Sequence, residues 1–230
     1  MISTKFKSAA PMVATFIVAA VCAVGPTYGQ RGPGGGRWAL DPEKQDAVWT
    51  LQSKSVAKDL ALEGEAADKL LAAYKGARQR ISETVQSTFS DSEGDWRARF
   101  EKMNEIRKAE REKFGEEIKV FLNEEQATKA LETLGAFGRF WDTMTNSLSE
   151  IVTEEETLLK GTLMIGSHLA KMENQASGGG QGEESREARR ERFQKSREEL
   201  NEALSKILTE DQLAKWKEAT DFGRGGRQGS

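Results

Sequence analysis

The absence of proline from most of the chain constrains its fold more than any other feature. The four prolines stand at positions 11, 26, 33 and 42, and the 188 residues from 43 to 230 contain none. Average usage of about 5% would place roughly nine prolines in that length. Because proline marks turns and helix ends, its absence disfavours an all-β or loop-rich fold and favours long helices.

The first 29 residues have the order of a secretory signal peptide. Two lysines precede an apolar run over 12–24, and small residues at Thr27 and Gly29 suit cleavage before Gln30. The run is too short to span a bilayer comfortably. We therefore predict export, with no stable membrane insertion after cleavage; an uncleaved anchor is the alternative.

The cysteine content and the net charge limit which cellular compartments and which binding partners are expected. Cys22, the one cysteine, lies inside the apolar run, so the mature chain would lack disulfides and thiolate zinc sites. An exported chain of this kind is typical of the bacterial periplasm, which is the predicted location. The formal net charge of -3 gives no electrostatic reason to expect nucleic-acid binding.

Apolar periodicity predicts helices along the rest of the chain. Apolar residues recur at intervals of three and four over 70–85 and over 131–148, and each stripe keeps one apolar face. These patterns predict packed helices. A further N-terminal helix is predicted to begin with Asp41 as its N-cap and Pro42 in its first position.

A self-comparison indicates an internal duplication. Residues 111–129 align without gaps on residues 197–215, at an offset of 86, with seven identities. With one residue removed, Phe137-Gly138-Arg139 also matches Phe222-Gly223-Arg224. The shared apolar register favours duplication over chance convergence of two charged helices.

The duplication predicts an all-α fold of elongated helical hairpins, as two tandem pseudo-repeats that each end in a helix started by a capping box. The helices over 93–122 and 184–208 are expected to superpose. We predict a signal peptide at 1–29, a Gly-rich disordered linker at 30–37, a first repeat with the N-terminal helix at 38–148, a second repeat at 149–222 and a disordered Gly/Arg tail at 223–230.

The repeated segment contains a motif that starts helices. The hydroxyl of Thr209 can accept from the backbone N–H of Gln212, whose side chain can reach back to the N–H of Thr209. Such a cap contributes about 1 kcal/mol and by itself explains only a helix start. The residues assigned to three boxes, with the leucines preceding two of them, are Leu122, Asn123, Gln126, Thr153, Glu156, Leu208, Thr209 and Gln212.

Two such motifs in an exported, charged, helical chain resemble the LTxxQ family of periplasmic proteins, which includes Spy-like and CpxP-like chaperones and metal-stress proteins. The clear matches are LTEDQ at 208–212 and LNEEQ at 122–126, within a resemblance that covers roughly 60–222. The resemblance implies helical hairpins, often dimerised into a curved cradle, that bind unfolded clients or a sensor kinase. Because this chain is duplicated, either a monomeric pseudo-dimer or a homodimer is expected.

The first functional hypothesis is a non-enzymatic periplasmic protein that binds unfolded or envelope proteins, or a sensor kinase, on a charged amphipathic surface during envelope stress. One alternative is that these charged residues form ordinary solvated helix faces with ion pairs and bind nothing. Another is that the protein has a structural role in the envelope. The residues predicted to bind clients are Arg99, Phe100, Met103, Arg107, Arg111, Phe114, Arg189, Arg190, Phe193 and Arg197.

The second hypothesis is a metal-responsive sensor or resistance protein. Met164, His168 and Met172 recur every four residues along one helix face, and their soft ligands suit Cu(I). Core packing is the alternative for these three side chains, and no other cofactor is predicted. An enzyme is disfavoured, because one histidine and no mature cysteine exclude the usual nucleophilic dyads and triads.

Overall fold

The computed structural model of the chain describes residues 40–89, 96–178 and 186–221. Within these ranges the protein is all-α, as predicted, with eight helices and no strand. The predicted signal peptide, Gly-rich linker and Gly/Arg tail lie outside the described residues. The helices are α1 (Pro42–Asp59), α2 (Gly64–Phe89), α3 (Trp96–Lys119), α4 (Glu124–Leu134), α5 (Arg139–Ile151), α6 (Glu155–Gly178), α7 (Arg186–Ser205) and α8 (Glu210–Ala219).

Helix contacts follow the same cycle in two halves of the described chain. In the first half α1 packs against α2, α2 against α3, α3 against α4, and α4 against α1. The second half repeats this cycle with α5, α6, α7 and α8. The halves join where α1 packs against α5 and α6 and where α4 packs against α6. The helices therefore form a packed bundle with hairpin contacts.

The repeated cycle places the boundary between the halves at the connection from α4 to α5. The boundary predicted after residue 148 falls inside α5 instead. The sequence also carries a signal that favours the α4–α5 connection, because Trp49 of α1 and Trp141 of α5 stand 92 residues apart. Val56 and Leu148 are separated by the same distance, and both are buried. The pattern indicates that α5 is the counterpart of α1.

The corners before α4 and α8 have the same local structure. The helices that enter them end 86 residues apart, and the helices that leave them begin 86 residues apart. In the first corner the N–H of Leu122 donates to the carbonyl of Ile118 at 3.0 Å. In the second the N–H of Leu208 donates to that of Leu204 at 2.9 Å. Both leucines before the caps are buried, so each anchors its corner in the core.

Three of the predicted helix starts are confirmed. Asp41 caps α1 by accepting from the N–H of Lys44 at 2.9 Å, with proline in the first position. Complete capping boxes stand at Asn123 with Gln126 and at Thr209 with Gln212. In each box the side chain of the cap accepts from the N–H three residues on, and the glutamine accepts from the N–H of the cap.

The box predicted at Thr153 and Glu156 is wrong. Helix α6 begins one residue later than that box requires, and the carbonyl of Glu154 accepts its first N–H, from Leu158, at 2.9 Å. The carboxylate of Glu154 accepts from the hydroxyl of Thr157 at 2.7 Å. Glu156 pairs with Lys160 instead of reaching back to a cap.

The apolar stripe over 131–148 spans two helices and a turn. Helix α4 ends at Leu134 and α5 begins at Arg139. Between them Phe137 adopts a left-handed backbone with φ of 48°, and it is nevertheless buried. The stripe therefore predicted the core residues correctly and missed the break, because the apolar spacing continues through the turn.

One connected hydrophobic core runs through both halves. In the first half it contains three aromatic rings, from Tyr74, Phe114 and Phe137, with centroids 5.8 to 6.1 Å apart. In the second half Ile165, Leu204 and Trp216 are fully buried. None of the described helices has the length and apolar character needed to cross a membrane.

Candidate functional site

The second half carries a groove between α5, α6, α7 and α8. Each of these helices contributes at least one large apolar side chain to its wall, among them Met144, Leu169, Leu200 and Trp216. Its cavity volume is about 30 Å³, or about 410 Å³ when all the open space at its mouth is counted, so the groove is shallow. Polar residues line it too, but most of its exposed wall is carbon and sulfur, which suits contact with apolar side chains.

Two exposed phenylalanines stand at the groove. Phe140 of α5 is 37% exposed and Phe193 of α7 is 47% exposed. Met172 of α6 also lines it, and the unbranched methionine side chain adapts to partners of different shape. Exposed apolar side chains gathered around a groove are typical of an interaction surface.

The polar side chains in the wall bond to one another. The Nε2 atom of His168 lies 2.6 Å from the hydroxyl oxygen of Ser196. The indole N–H of Trp216 donates to the side-chain oxygen of Asn201 at 3.1 Å. Burial lowers the pKa of His168 below its usual 6.5, although Glu199 and the Ser196 bond oppose this shift. The lowered pKa favours the neutral form of His168 at neutral pH, so this side chain adds no charge to the groove there.

Arg197 is the charged residue among those that line the groove. Its guanidinium donates to the carboxylate of Asp221 at 3.3 Å and to the carbonyl of Lys217 at 3.4 Å. These bonds tie α7 to the end of α8. Arg197 was predicted to bind clients, and the structure places it in the groove wall.

The other residues of α7 that were predicted to bind clients do not all lie at the groove. Phe193 lies at the groove, and Arg190 is exposed to solvent. The side chain of Arg189 lies outside the part of the chain that the structure describes. Helix α7 packs against α6 and α8, whereas α3 packs against α2 and α4. The predicted residues therefore lie on two different helix pairs.

The residues of α3 that were predicted to bind clients differ in how far they are exposed to solvent. Phe100 is 53% exposed, and the guanidinium of Arg99 lies 6.0 Å from the ring centroid of Phe89. The Nε atom of Arg99 is buried and has no hydrogen-bond partner among the described residues. Arg111 is half-buried, with its Cγ atom close to Gly135.

Arg107 is held partly inside the protein. Burial, with the positive charges of Arg139 and Arg78 nearby, lowers its pKa below the usual value. Its guanidinium lies 3.9 Å from the sulfur of Met103, and its Nε atom is buried without a partner in the described part of the chain. The negative charges of Glu173 and Asp142 oppose the fall in its pKa. An arginine held half-buried among charges of both signs is a poor contact for a passing client.

The assignment of Phe114 to the client-binding surface is wrong. Its side chain is fully buried and packs against the rings of Tyr74 and Phe137. The alternation of apolar and charged residues on α3 does not distinguish this inward position from outward positions such as Phe100. Burial of the aromatic ring in the first-half core decides it.

The three residues predicted to bind Cu(I) lie along α6. His168 and Met172 line the groove, while Met164 is partly buried against the core. Among the described residues no group of three histidine, cysteine, aspartate or glutamate side chains could hold a metal ion.

A second cluster of polar side chains is buried between the halves. Arg78 of α2 pairs with Asp142 of α5, and Gln52 donates to the same carboxylate at 3.1 Å. The hydroxyl of Tyr74 donates to the Gln52 oxygen at 2.7 Å, and Arg78 lies 5.0 Å from the ring centroid of Trp49. Burial raises the pKa of Asp142, and the charge of Arg78 opposes this shift. This cluster is enclosed, so we assign it to the joining of the halves.

Sequence reasoning missed most of the groove. Phe140 carried a usable signal, because it is a large apolar residue next to the stripe at Trp141 and outside it. Leu200 and Trp216 carried none, since both fit ordinary core positions. Their role follows only from how four helices of the second half meet.

No protein-family model matches the chain, no curated protein matches its sequence, and no solved structure matches its fold. The resemblance to the LTxxQ family therefore stays a prediction that rests on the two motifs.

Proposed function

We propose that the protein is a non-enzymatic periplasmic binding protein that holds apolar segments of unfolded envelope proteins, and that the groove of the second half is the contact site. The observation that supports this function is the pair of exposed phenylalanines, Phe140 and Phe193, at an apolar groove. Exposing such rings to water is unfavourable. A surface that retains them is suited to covering by a partner.

The small number of side chains that the groove can hold favours weak binding without sequence preference. Full burial of one leucine or phenylalanine side chain contributes about 1.5–3 kcal/mol, whereas a 1 μM complex requires about 8 kcal/mol. One or two inserted side chains therefore give short-lived complexes unless several contacts act together. Weak capture without sequence choice is what a holder of unfolded chains needs.

The exposed face of α7 supports the same function. Arg190, Glu191 and Arg192 are exposed beside Phe193, so charges of both signs flank the apolar contact. Such a surface accepts segments of either charge and is weakened by salt, because exposed charges are screened. The same groove could bind a folded partner, such as a sensor kinase that inserts an apolar side chain into it.

Light scattering from an aggregating client tests the proposal. The described residues belong to one compact unit over Trp38–Ser230, so the chain from Gln30 onward is used, with disulfide-reduced insulin as the client. We expect suppression of scattering at near-stoichiometric ratios. Phe193→Ser should weaken the apparent affinity by about tenfold, which corresponds to about 1.4 kcal/mol of lost apolar contact.

Phe100→Ser is the matched control, because Phe100 is an equally exposed phenylalanine on a charged helix away from the groove. It should leave suppression unchanged. No suppression at molar excess, or equal loss in the two variants, would contradict the proposal.

A Cu(I)-responsive site is the second candidate, and the observation in its favour is that His168 and Met172 share the groove wall. Its test is the melting temperature with Cu(I) under reducing conditions. A rise that is absent in His168→Ala supports this function, and no rise in the unaltered protein refutes it.

A further inference from the structure

Helix α3 runs antiparallel to α4 and leads back toward the start of α5. A Cβ atom added to Gly115 would lie 3.2 Å from the Leu131 side chain. One added to Gly135 would lie 3.3 Å from the Cγ atom of Arg111. Four residues back along α3 thus correspond to four residues forward along α4 and the turn after it. The next turn back along α3 therefore approaches Arg139, the first residue of α5.

Three guanidinium groups meet at this place, and we call them the arginine cluster: Arg78, Arg107 and Arg139. Arg107 stands on that next turn of α3, at the level of Arg139. Arg78 stands on α2 one turn beyond Tyr74, whose ring centroid lies 6.1 Å from that of Phe114 on α3. Burial lowers the pKa of Arg107, and the positive charges of Arg139 and Arg78 lower it further. The three groups are therefore close enough to repel one another.

Two of these arginines bury hydrogen-bond donors that no described residue accepts. The Nε atom of Arg107 and the Nη1 atom of Arg78 are buried without a hydrogen-bond partner in the described ranges. The Arg78 side chain is only 6% exposed, and it reaches Asp142 through its other amino nitrogen. Buried donors on charged groups are costly to leave unpaired. Both atoms are therefore available to an added acceptor.

The surrounding carboxylates do not neutralise the cluster. The negative charges that act on Arg107 are those of Glu173 and Asp142. Glu110, on the turn of α3 after Arg107, faces α2 instead and accepts from Arg80 at 2.7 Å. Three guanidinium groups thus share two carboxylates, and the cluster keeps a net positive charge.

We propose that Arg78, Arg107 and Arg139 bind a tetrahedral oxyanion, either phosphate or the phosphoryl group of a larger molecule, at the start of α5. A tetrahedral anion has oxygens in several directions and can accept from guanidinium groups on three helices, whereas a carboxylate has two oxygens in one plane. The first turn of α5 offers backbone N–H groups as well, because its cap, Gly138, supplies no side-chain acceptor. None of the three arginines lines the groove, so this site goes beyond client capture.

The melting temperature in different salts tests the site. The chain from Gln30 onward should melt about 2–4 °C higher in phosphate than in chloride or acetate of equal ionic strength. The difference between salts is measured within each variant, so a change in basal stability does not affect it. It should vanish in Arg107→Gln and in Arg139→Gln, of which the second alters an exposed side chain.

Arg190→Gln is the matched control, because it makes the same change at an exposed arginine of α7. It should keep the full phosphate effect. Equal melting of the unaltered protein in the three salts would overturn the proposal, and so would a phosphate effect that both cluster variants retain. An equal rise in acetate would overturn the preference for a tetrahedral anion.

Vesicle flotation separates the two sources of a phosphoryl group. The probes are phosphatidylcholine vesicles with and without phosphatidic acid. Flotation that requires phosphatidic acid and is lost in Arg139→Gln supports the site with a lipid headgroup as its ligand. Phosphate stabilisation without flotation supports it with a soluble phosphate. Flotation retained by Arg139→Gln, together with no phosphate effect on melting, would overturn it.

Discussion

Arg78 of α2 and Asp142 of α5 form an ion pair in the interior, with side chains only 6% and 7% exposed. The pair joins the two halves, and Gln52 of α1 donates to the same carboxylate. An ion pair withdrawn from water contributes little net stability, but loss of one partner leaves an uncompensated buried charge. The pair therefore constrains how the second half docks on the first.

Removing one member of this pair should destabilise the protein strongly. We expect Asp142→Ala to lower the free energy of unfolding by about 3–5 kcal/mol, because the Arg78 charge would stay buried without its partner. Replacing both residues by Met and Leu should recover much of that loss. Urea denaturation followed by circular dichroism measures both, and a single variant no less stable than the double variant would refute this account.

The control is the exposed pair between Lys44 and Glu150, which also links α1 to α5, at 3.1 Å. Lys44→Ala should leave the urea midpoint unchanged within error, because solvent screens an exposed pair.

The two capping boxes should contribute similar stability at their corners. Thr209→Ala and Asn123→Ala should each cost about 1 kcal/mol, because each removes the acceptor for an N–H in the first turn. Thr153→Ala should cost much less, since Glu154 occupies the corresponding place at α6. Thermal denaturation of the three variants compares these losses of stability. If Thr153→Ala costs as much as the other two, Thr153 is a cap after all and our account of the α6 start is wrong.

Gly166 allows Trp141 to approach α6. A Cβ atom on Gly166 would collide with the Trp141 ring, whose N–H donates to the carbonyl of Thr162 at 3.1 Å. Gly166→Ala should therefore cost about 1–3 kcal/mol through overpacking. Gly76→Ala inside α2 is the control, because its added Cβ would meet only the far end of the flexible Arg80 side chain, at 3.2 Å. Equal urea midpoints for the two variants would contradict this packing.

His168 should make the stability depend on pH. Because burial lowers its pKa in the folded protein, the unfolded chain takes up a proton first as the pH falls below about 6.5. The free energy of unfolding should therefore fall between about pH 7.5 and pH 5.5. In His168→Gln, which removes the one histidine, that fall should be smaller; an identical pH dependence would exclude the histidine as its source.

What the sequence predicted well was local. The boxes at Asn123 and Thr209 form because the groups that bond lie within four residues of one another. The prediction of a box at Thr153 was wrong because three glutamates follow it, so the helix could begin after either Thr153 or Glu154. In the structure it begins after Glu154. The stripe over 131–148 predicted burial but not the turn, which glycines at 135 and 138 flank.

What the sequence could not predict depends on residues far apart in the chain. Arg78 and Asp142 are 64 residues apart, and no periodicity brings them together. The groove depends on how four helices meet, because its lining residues come from α5, α6, α7 and α8. Phe114 and Phe100 look alike on a charged helix, and only packing separates the buried ring from the exposed one.

The central claim is that clients bind in the groove of the second half. Beyond residue 30 the chain has four methionines, of which Met144 and Met172 line the groove while Met103 and Met164 do not. Methyl-labelled methionine therefore reports the binding site by NMR as a permanently unfolded, reduced and alkylated client is added. We predict saturable shifts of the Met144 and Met172 signals with Met103 unchanged; a shift of Met103 alone, or of none of the four, would contradict the claim.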